Sequence, residues 1–265
     1  MRILEQFIKG KKHDESLCED FLFYNENFIV VADGVTAKDT ILFGGETGGR
    51  VAARLICEAV SEFNLDIDAF EATRILTEKI RQLCDEHNNG GSAAASVIIY
   101  SNHHHEIWSI GDCQCIINGE VFTHSKEIDR IVSDMRALVL EIARFEGATD
   151  EELSENDLGR EFILPVIKKQ SIFANGEGRF AYGVINGASV HEKDIVIHKV
   201  KTGDEIVLAS DGYPELCGTL EESEGKLKQE LTTNPLCDGD YRSTKGVQKN
   251  CTSFDDRTYI RFRVD

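Results

Sequence analysis

Two stretches of this chain run into the same dipeptide. Phe28-Ile29-Val30-Val31-Ala32 ends in Asp33-Gly34, and Glu205-Ile206-Val207-Leu208-Ala209-Ser210 ends in Asp211-Gly212. Each is a short, β-branched apolar run, which predicts a buried strand, and the glycine behind it predicts a sharp turn. A carboxylate at the mouth of a buried strand is costly to desolvate unless a positive charge meets it. A third acid lies ahead of the last apolar segment: Asp255, in Ser253-Phe254-Asp255-Asp256-Arg257, followed by the strand-like Thr258–Val264. Acids at three strand ends predict a carboxylate cluster gathered around a cation. Unit charges about 4 Å apart repel by roughly 4 kcal/mol at an effective dielectric near 20, so a metal-free cluster must bind protons or loosen. Mg²⁺ and Mn²⁺ suit such a donor set because they prefer oxygen ligands and keep several waters.

The elements that position these acids follow from periodicity. Behind the first Asp-Gly lies Gly44-Gly45-Glu46-Thr47-Gly48-Gly49, and then Val51, Leu55, Ile56, Ala59, Val60 and Phe63 recur at helical spacing. That spacing predicts an amphipathic helix over about 48–63. A second helix is expected over Asp68–His87, with Phe70, Ile75, Leu76, Ile80 and Leu83 inward, stopped by Asn88-Asn89-Gly90-Gly91. A meander is expected next: strands at Ala94–Tyr100, Ile107–Ile110 and Gln114–Ile117, the last two joined across Gly111-Asp112. Asn118-Gly119 then signals a hairpin into Val121-Phe122. Helical patterns return over Glu127–Phe145 and Glu152–Lys168, and strands at Phe180–Val184, Asp194–His198 and Glu205–Ala209. Thr219-x-x-Glu222 has capping-box spacing and should open a helix through Leu231. Successive hairpins interrupted by paired helices predict an α+β architecture: antiparallel sheets with helices packed outside.

Bulk properties narrow the function classes. With 265 residues, three prolines and no repeat of solenoid period, one domain is expected. The 29 Lys and Arg against 47 Asp and Glu give a net charge of −18, which argues against nucleic acid as a partner. Eight cysteines show no CxxC pair and no zinc-ribbon spacing. Cys113-x-Cys115 on a strand points both thiols to one face, as packing requires. Met1–Lys12 lacks an apolar signal core and no run is long enough to span a bilayer, so a reducing cytoplasm and no membrane partner are expected.

Taken in order, the motifs resemble the type 2C metal-dependent protein serine/threonine phosphatases, in a divergent, bacterial-type form. Cys18-Glu19-Asp20 is similar to that family's N-terminal acidic pair, and Val31-Ala32-Asp33-Gly34 to its first metal-binding strand end. Gly90-Gly91-Ser92-Ala93-Ala94 and Ile110-Gly111-Asp112-Cys113 resemble its middle motifs. Ala209-Ser210-Asp211-Gly212-Tyr213 and Ser253-Phe254-Asp255-Asp256 resemble its last two. The match runs from Cys18 to Val264. The resemblance implies a four-layer α-β-β-α sandwich, two antiparallel sheets flanked by helix pairs, with a two-metal site for Mn²⁺ or Mg²⁺ at one end. It also implies a helical insert at about 124–178. Carried over by position, Asp33 would bridge both ions; the Gly34 carbonyl and Glu19 would hold one, and Asp211 and Asp255 the other. Asp112 and Glu215 match positions of a weaker third site in some relatives. Two ions sharing a water lower its pKa and aim a hydroxide at phosphorus. The implied substrate is a protein carrying phosphoserine or phosphothreonine, with Asp33, Asp211 and Asp255 as the catalytic carboxylates.

Two departures stand out. Relatives place a phosphate-binding Arg four residues before the acidic-pair Glu; here that position is Glu15, which leaves Lys11, Lys12, His13 or Arg50 to take its role. Val35 stands where some relatives carry a His. The missing Arg keeps two other readings open, a phosphatase-fold regulatory module that binds partners and a phosphatase of small phosphorylated metabolites. His103-His104-His105 is expected as a solvated hairpin loop.

Overall fold

A computed structural model describes residues 1–36, 38, 40–87 and 92–265. Two five-stranded sheets face each other, and every strand pair in them is antiparallel. The first contains β1 (Arg2–Lys9), β12 (Arg257–Arg263), β11 (Glu205–Ala209), β8 (Gln114–Ile117) and β9 (Glu120–Phe122), in that order. The second runs β10 (Val196–Lys199), β7 (Glu106–Ile110), β6 (Ala95–Ser101), β3 (Phe28–Gly34) and β2 (Asp20–Tyr24). A two-residue pair, β4 (Leu42–Phe43) and β5 (Glu46–Thr47), stands apart.

The unbroken apolar run of β3 has a simple cause: both of its faces are covered. Ile29 and Val31 point between the sheets, against Ile98, Tyr100, Cys113, Cys115, Leu208, Ile260 and Phe262. Phe28, Val30 and Ala32 point outward, beneath α1 (Gly48–Ser61) and α2 (Ala69–His87). Each fully buried aliphatic or aromatic side chain there contributes about 1.5–3 kcal/mol. The outer face of the first sheet, with Ile116, Val207, Ala209 and Tyr259, is covered by Leu227 of α6 (Leu220–Thr233) and by Cys237 and Phe254 of the segments that follow it. Between β9 and β10 in sequence come α3 (Glu127–Phe145), α4 (Asp150–Glu155) and α5 (Leu158–Ile167), with α3 and α5 packed together through Ile128, Val132, Ile163 and Ile167.

The N-terminus of α1 is locked against the end of β3 by backbone contact. A Cβ on Gly34 would lie 2.4 Å from the Gly49 carbonyl oxygen, and one on Gly48 only 2.0 Å from that of Ser92. Glycine is required at both places so that helix and strand can meet without side chains between them. Asn118 and Gly119 take φ of 50° and 88°, the left-handed pair of a tight hairpin turn.

Several expectations are corrected. The strands on either side of Gly111-Asp112 are not neighbours in a meander; β7 belongs to one sheet and β8 to the other, so the chain crosses the sandwich there. Phe180–Val184 is not a strand, its pairing being limited to isolated bridges such as Ala174 with Tyr182. Phe70 is 45% exposed, because the buried stripe of α2 is centred on Ala72, Leu76 and Ile80 instead. The pattern at 152–168 divides at Asn156-Asp157, where Asp157 caps α5 by accepting from the Arg160 N–H at 2.7 Å. The Asn88–Gly91 stop lies outside the described residues. All eight cysteines are free thiols, and among the described residues no helix is long and apolar enough to cross a membrane.

Candidate metal centre

Sheet register brings the acids together. Asp20 lies opposite Asp33 across β2 and β3, and Ser96 lies opposite Asp33 across β3 and β6. The Ser96 hydroxyl donates to Asp112, which the crossing from β7 to β8 holds at the mouth of the sandwich. Asp211 lies two residues past the end of β11, and its backbone N–H makes a long hydrogen bond of 3.4 Å to Asp33 Oδ2. Glu19, just before β2, accepts from the hydroxyls of Thr47 at 2.7 Å and Thr36 at 2.8 Å. The Gly34 N–H donates to the Glu19 carbonyl at 3.2 Å. Asp255 and Asp256 come immediately before β12, and Asp256 accepts from the backbone N–H groups of Lys11 at 2.7 Å and Glu19 at 3.1 Å.

These carboxylates fall into two electrostatic groups. Burial, and then the neighbouring charges of Asp211, Asp20 and Asp112, push the Asp33 carboxyl well above its ordinary range. Burial, followed by Asp112 and Asp255, pushes Asp211 up to about 7. Neither forms an ion pair with Lys, Arg or His among the described residues. Asp20, fully enclosed, is pushed up to about 8, chiefly by burial, and its Oδ1 has no hydrogen-bond partner. The second group is already neutralised. Burial alone would raise Asp255, but Lys245 at 2.7 Å and Lys11 at 2.9 Å hold it below the carboxylate range. Lys126 at 2.6 Å does the same for Asp112 against the opposing effect of burial.

The other residues named from sequence have other partners or are exposed. Glu215 is exposed and pairs with Lys226 at 3.0 Å. Lys12 and His13 are exposed. Arg50 donates to Glu46 at 2.9 Å and to the Cys18 carbonyl, with its guanidinium 5.0 Å over the Phe21 ring. Cations that carried no sequence signal stand closer. Lys245 is on Asp255. Arg160 donates to the carbonyl of the adjacent Thr244 at 2.7 Å, and Lys38 to that of Thr36 at 2.6 Å. Burial, with the charges of Lys245 and Arg160, pushes Lys38 down to about 8.

A divalent cation suits one half of this constellation. Asp33 and Asp211 are hard oxygen donors whose protonation is favoured by burial and by the neighbouring carboxylates, a penalty that a bound cation would offset. The other half does not suit a second ion as it stands, because the Lys11 ammonium lies among Glu19, Asp255 and Asp256. Among the described residues, no group of three or more His, Cys, Asp or Glu side chains converges on a single metal position.

The sandwich itself has solved counterparts. A bacterial serine phosphatase superposes with a TM-score of 0.52, covering 98% of this chain and 97% of that one at 15% identity. The chain has the fold of the PPM serine/threonine phosphatases. Two other structures with this PPM fold agree over their length. The Mycobacterium tuberculosis serine/threonine phosphatase PstP/Ppp gives a TM-score of 0.50 at 15% identity, with 99% of each chain covered. The PPM Ser-Thr phosphatase MsPP from Mycobacterium smegmatis, solved with cacodylate, gives 0.50 at 12% identity, with 100% of each covered. Likeness at such low identity is likeness of the PPM fold. No protein-family model matches the sequence, and no curated protein matches it.

Proposed function

We propose that this chain is a divalent-metal-dependent phosphomonoesterase acting on phosphoserine or phosphothreonine in proteins. The observation that carries this is the pair Asp33 and Asp211, adjacent acids with no ion-pair partner among the described residues, in a cluster whose Asp255 has Lys245, Lys38 and Arg160 around it. The PPM fold supports it, and the catalytic domain of the structurally similar PstP is described in complex with two manganese ions (TM-score 0.50, 14% identity).

Asp33 and Asp211 would hold Mn²⁺ or Mg²⁺, with Asp112 beside them. A bound ion supplies Lewis acidity, lowering the pKa of water and offsetting charge on phosphoryl oxygens. The chain's own residues do the rest. Lys38, Lys245 and Arg160 draw a phosphate dianion toward the acids and fix its orientation. Lys38, held near 8, can give a proton from Nζ to a departing alkoxide at neutral pH. Asp112, kept ionised by Lys126, accepts the Ser96 hydroxyl and keeps its second oxygen on the ammonium, so both groups are fixed before substrate arrives.

A second reading is favoured by one observation. The Lys11 ion pairs already satisfy Glu19 and Asp255, as a binding module without catalysis would allow. Hydrolysis of an aryl phosphate with and without Mn²⁺, beside Asp33→Asn, separates the two. Metal-dependent turnover lost in the variant is expected. Turnover unchanged by Asp33→Asn refutes the assignment, and Mn²⁺ binding without turnover on aryl phosphate or phosphopeptides favours the binding module.

A further inference from the structure

Lys11 is a lysine built into the acid cluster. Its side chain is about 10% exposed, and its Nζ touches four oxygens: Asp255 Oδ1 at 2.9 Å, Asp256 Oδ2 at 3.1 Å, Thr36 Oγ1 at 3.1 Å and Glu19 Oε2 at 3.3 Å. These oxygens come from the segments before β2, after β3 and before β12. The backbone at Lys11 is fixed independently of the side chain. Its N–H donates to Asp256 Oδ1 at 2.7 Å, and its carbonyl accepts from the Thr252 N–H at 2.7 Å. The residue before it is equally constrained, since the Gly10 N–H donates to Glu15 Oε2 at 2.9 Å. The ammonium is therefore delivered to this place by the fold and does not reach it from solvent.

What it touches matters. Glu19 and Asp255 are the two carboxylates assigned by resemblance to two different ions, and Lys11 holds both. Lys245 takes the other oxygen of Asp255 at 2.7 Å. The remaining acids, Asp33 and Asp211, have no ammonium or guanidinium ion pair among the described residues, although Lys126 and Lys245 are close enough to Asp211 to be felt. The division is one of charge. One side of the cluster contains its own cation, and the other awaits one.

We propose that Lys11 replaces one of the two cations of this site, so that the chain binds a single divalent ion, held by Asp33 and Asp211. This rests on the reading that the cluster takes a divalent metal. A lysine ammonium is a compact, strongly hydrated point charge with three donors, which suits it to a pocket of converging oxygens. It cannot act as a Lewis acid, but it offsets charge permanently and without any dependence on metal supply. Three lysines surround the acids: Lys11, Lys126 and Lys245. Together they supply the positive charge that a second ion would otherwise bring to a phosphate dianion.

Mn²⁺ titration of the whole chain by calorimetry, with electron paramagnetic resonance on the same samples, tests this apart from turnover. The wild type is expected to bind one Mn²⁺ and to show an uncoupled spectrum. Lys11→Met frees Glu19 and one oxygen of Asp255 from the ammonium, and its stoichiometry should rise from one to two, with exchange coupling between the ions. Lys11→Arg keeps the charge and should stay at one, which guards against misfolding of the methionine variant. Two coupled ions in the wild type overturn the inference while leaving the phosphatase reading intact. No Mn²⁺ binding at all overturns both.

Discussion

Replacing Asp211 by Asn should make the metal-free protein more stable while weakening its hold on metal. The carboxyl is pushed from an ordinary 3.8 up to about 7, by burial first and then by Asp112 and Asp255. A shift of that size corresponds to roughly 4 kcal/mol between the protonation states. The sign follows from proton counting. Between about pH 4 and 7 the folded state keeps the proton and the unfolded state has lost it, so unfolding free energy falls as pH rises through that window. Below the window the penalty is absent; above it the penalty is complete. Asn keeps the shape and removes the charge, so the gain should be about 2–4 kcal/mol at pH 8, the lower figure allowing for relaxation around the coupled Asp33. At pH 4 the two proteins should be nearly equal. The assay is urea unfolding with a chelator present, wild type against variant, at both pH values, so that groups titrating identically in both cancel. Added Mn²⁺ should then stabilise the wild type far more than Asp211→Asn, by mass action on the folded state. A variant less stable than wild type at pH 8, or a difference that does not change with pH, would refute the electrostatic account of the cluster.

Further outcomes follow from single contacts. Gly34→Ala forces a Cβ against the Gly49 carbonyl and should cost about 3 kcal/mol in urea unfolding, because strand and helix must separate. Arg136 is fully buried and forks onto Asp157 at 2.7 and 2.9 Å while donating to the carbonyls of Cys237 and Ser243. Arg136→Met should therefore cost about 3 kcal/mol, discounted for the partial exposure of Asp157, with a matching drop in melting temperature. Thr149 and Glu152 form a reciprocal capping box at the start of α4, and Thr149→Ala should remove about 1 kcal/mol.

The acids at the sandwich mouth were legible in sequence for a physical reason. A run of apolar residues that stops at Asp-Gly demands both burial and a turn, so Asp33 and Asp211 announce their positions. The hairpin at Asn118-Gly119 is similarly local. Lys11 is not legible, because a lysine pair in a polar stretch has the composition of a solvated loop. Only its contact with Asp256, 245 residues away, shows that one of the two is buried. Lys38, Lys245 and Arg160 escaped for the same reason, each lying on a different segment whose meeting is tertiary. The crossing at Gly111-Asp112 is invisible to periodicity, since two short alternating strands look alike whether they pair or part. Strand β1 was missed because its alternation is interrupted by charge at Glu5 and Lys9, which pairing with β12 tolerates at a sheet edge.

The pairing of β1 with β12 has a consequence for how the protein comes into being. The first strand has no other sheet neighbour among the described residues, so it must wait until β12 has been made. Closing so long a loop is slow compared with forming the local hairpins, and the sheet is finished by its final strand. Asp255 and Asp256 arrive with that strand, and with them two of the four oxygens that receive Lys11. A nascent chain stopped before residue 255 would carry an ammonium lacking its two aspartate partners, an incomplete ring of acids, and an open edge inviting another chain. The cluster of acids is thus complete only once the β12 segment has been made and paired with β1.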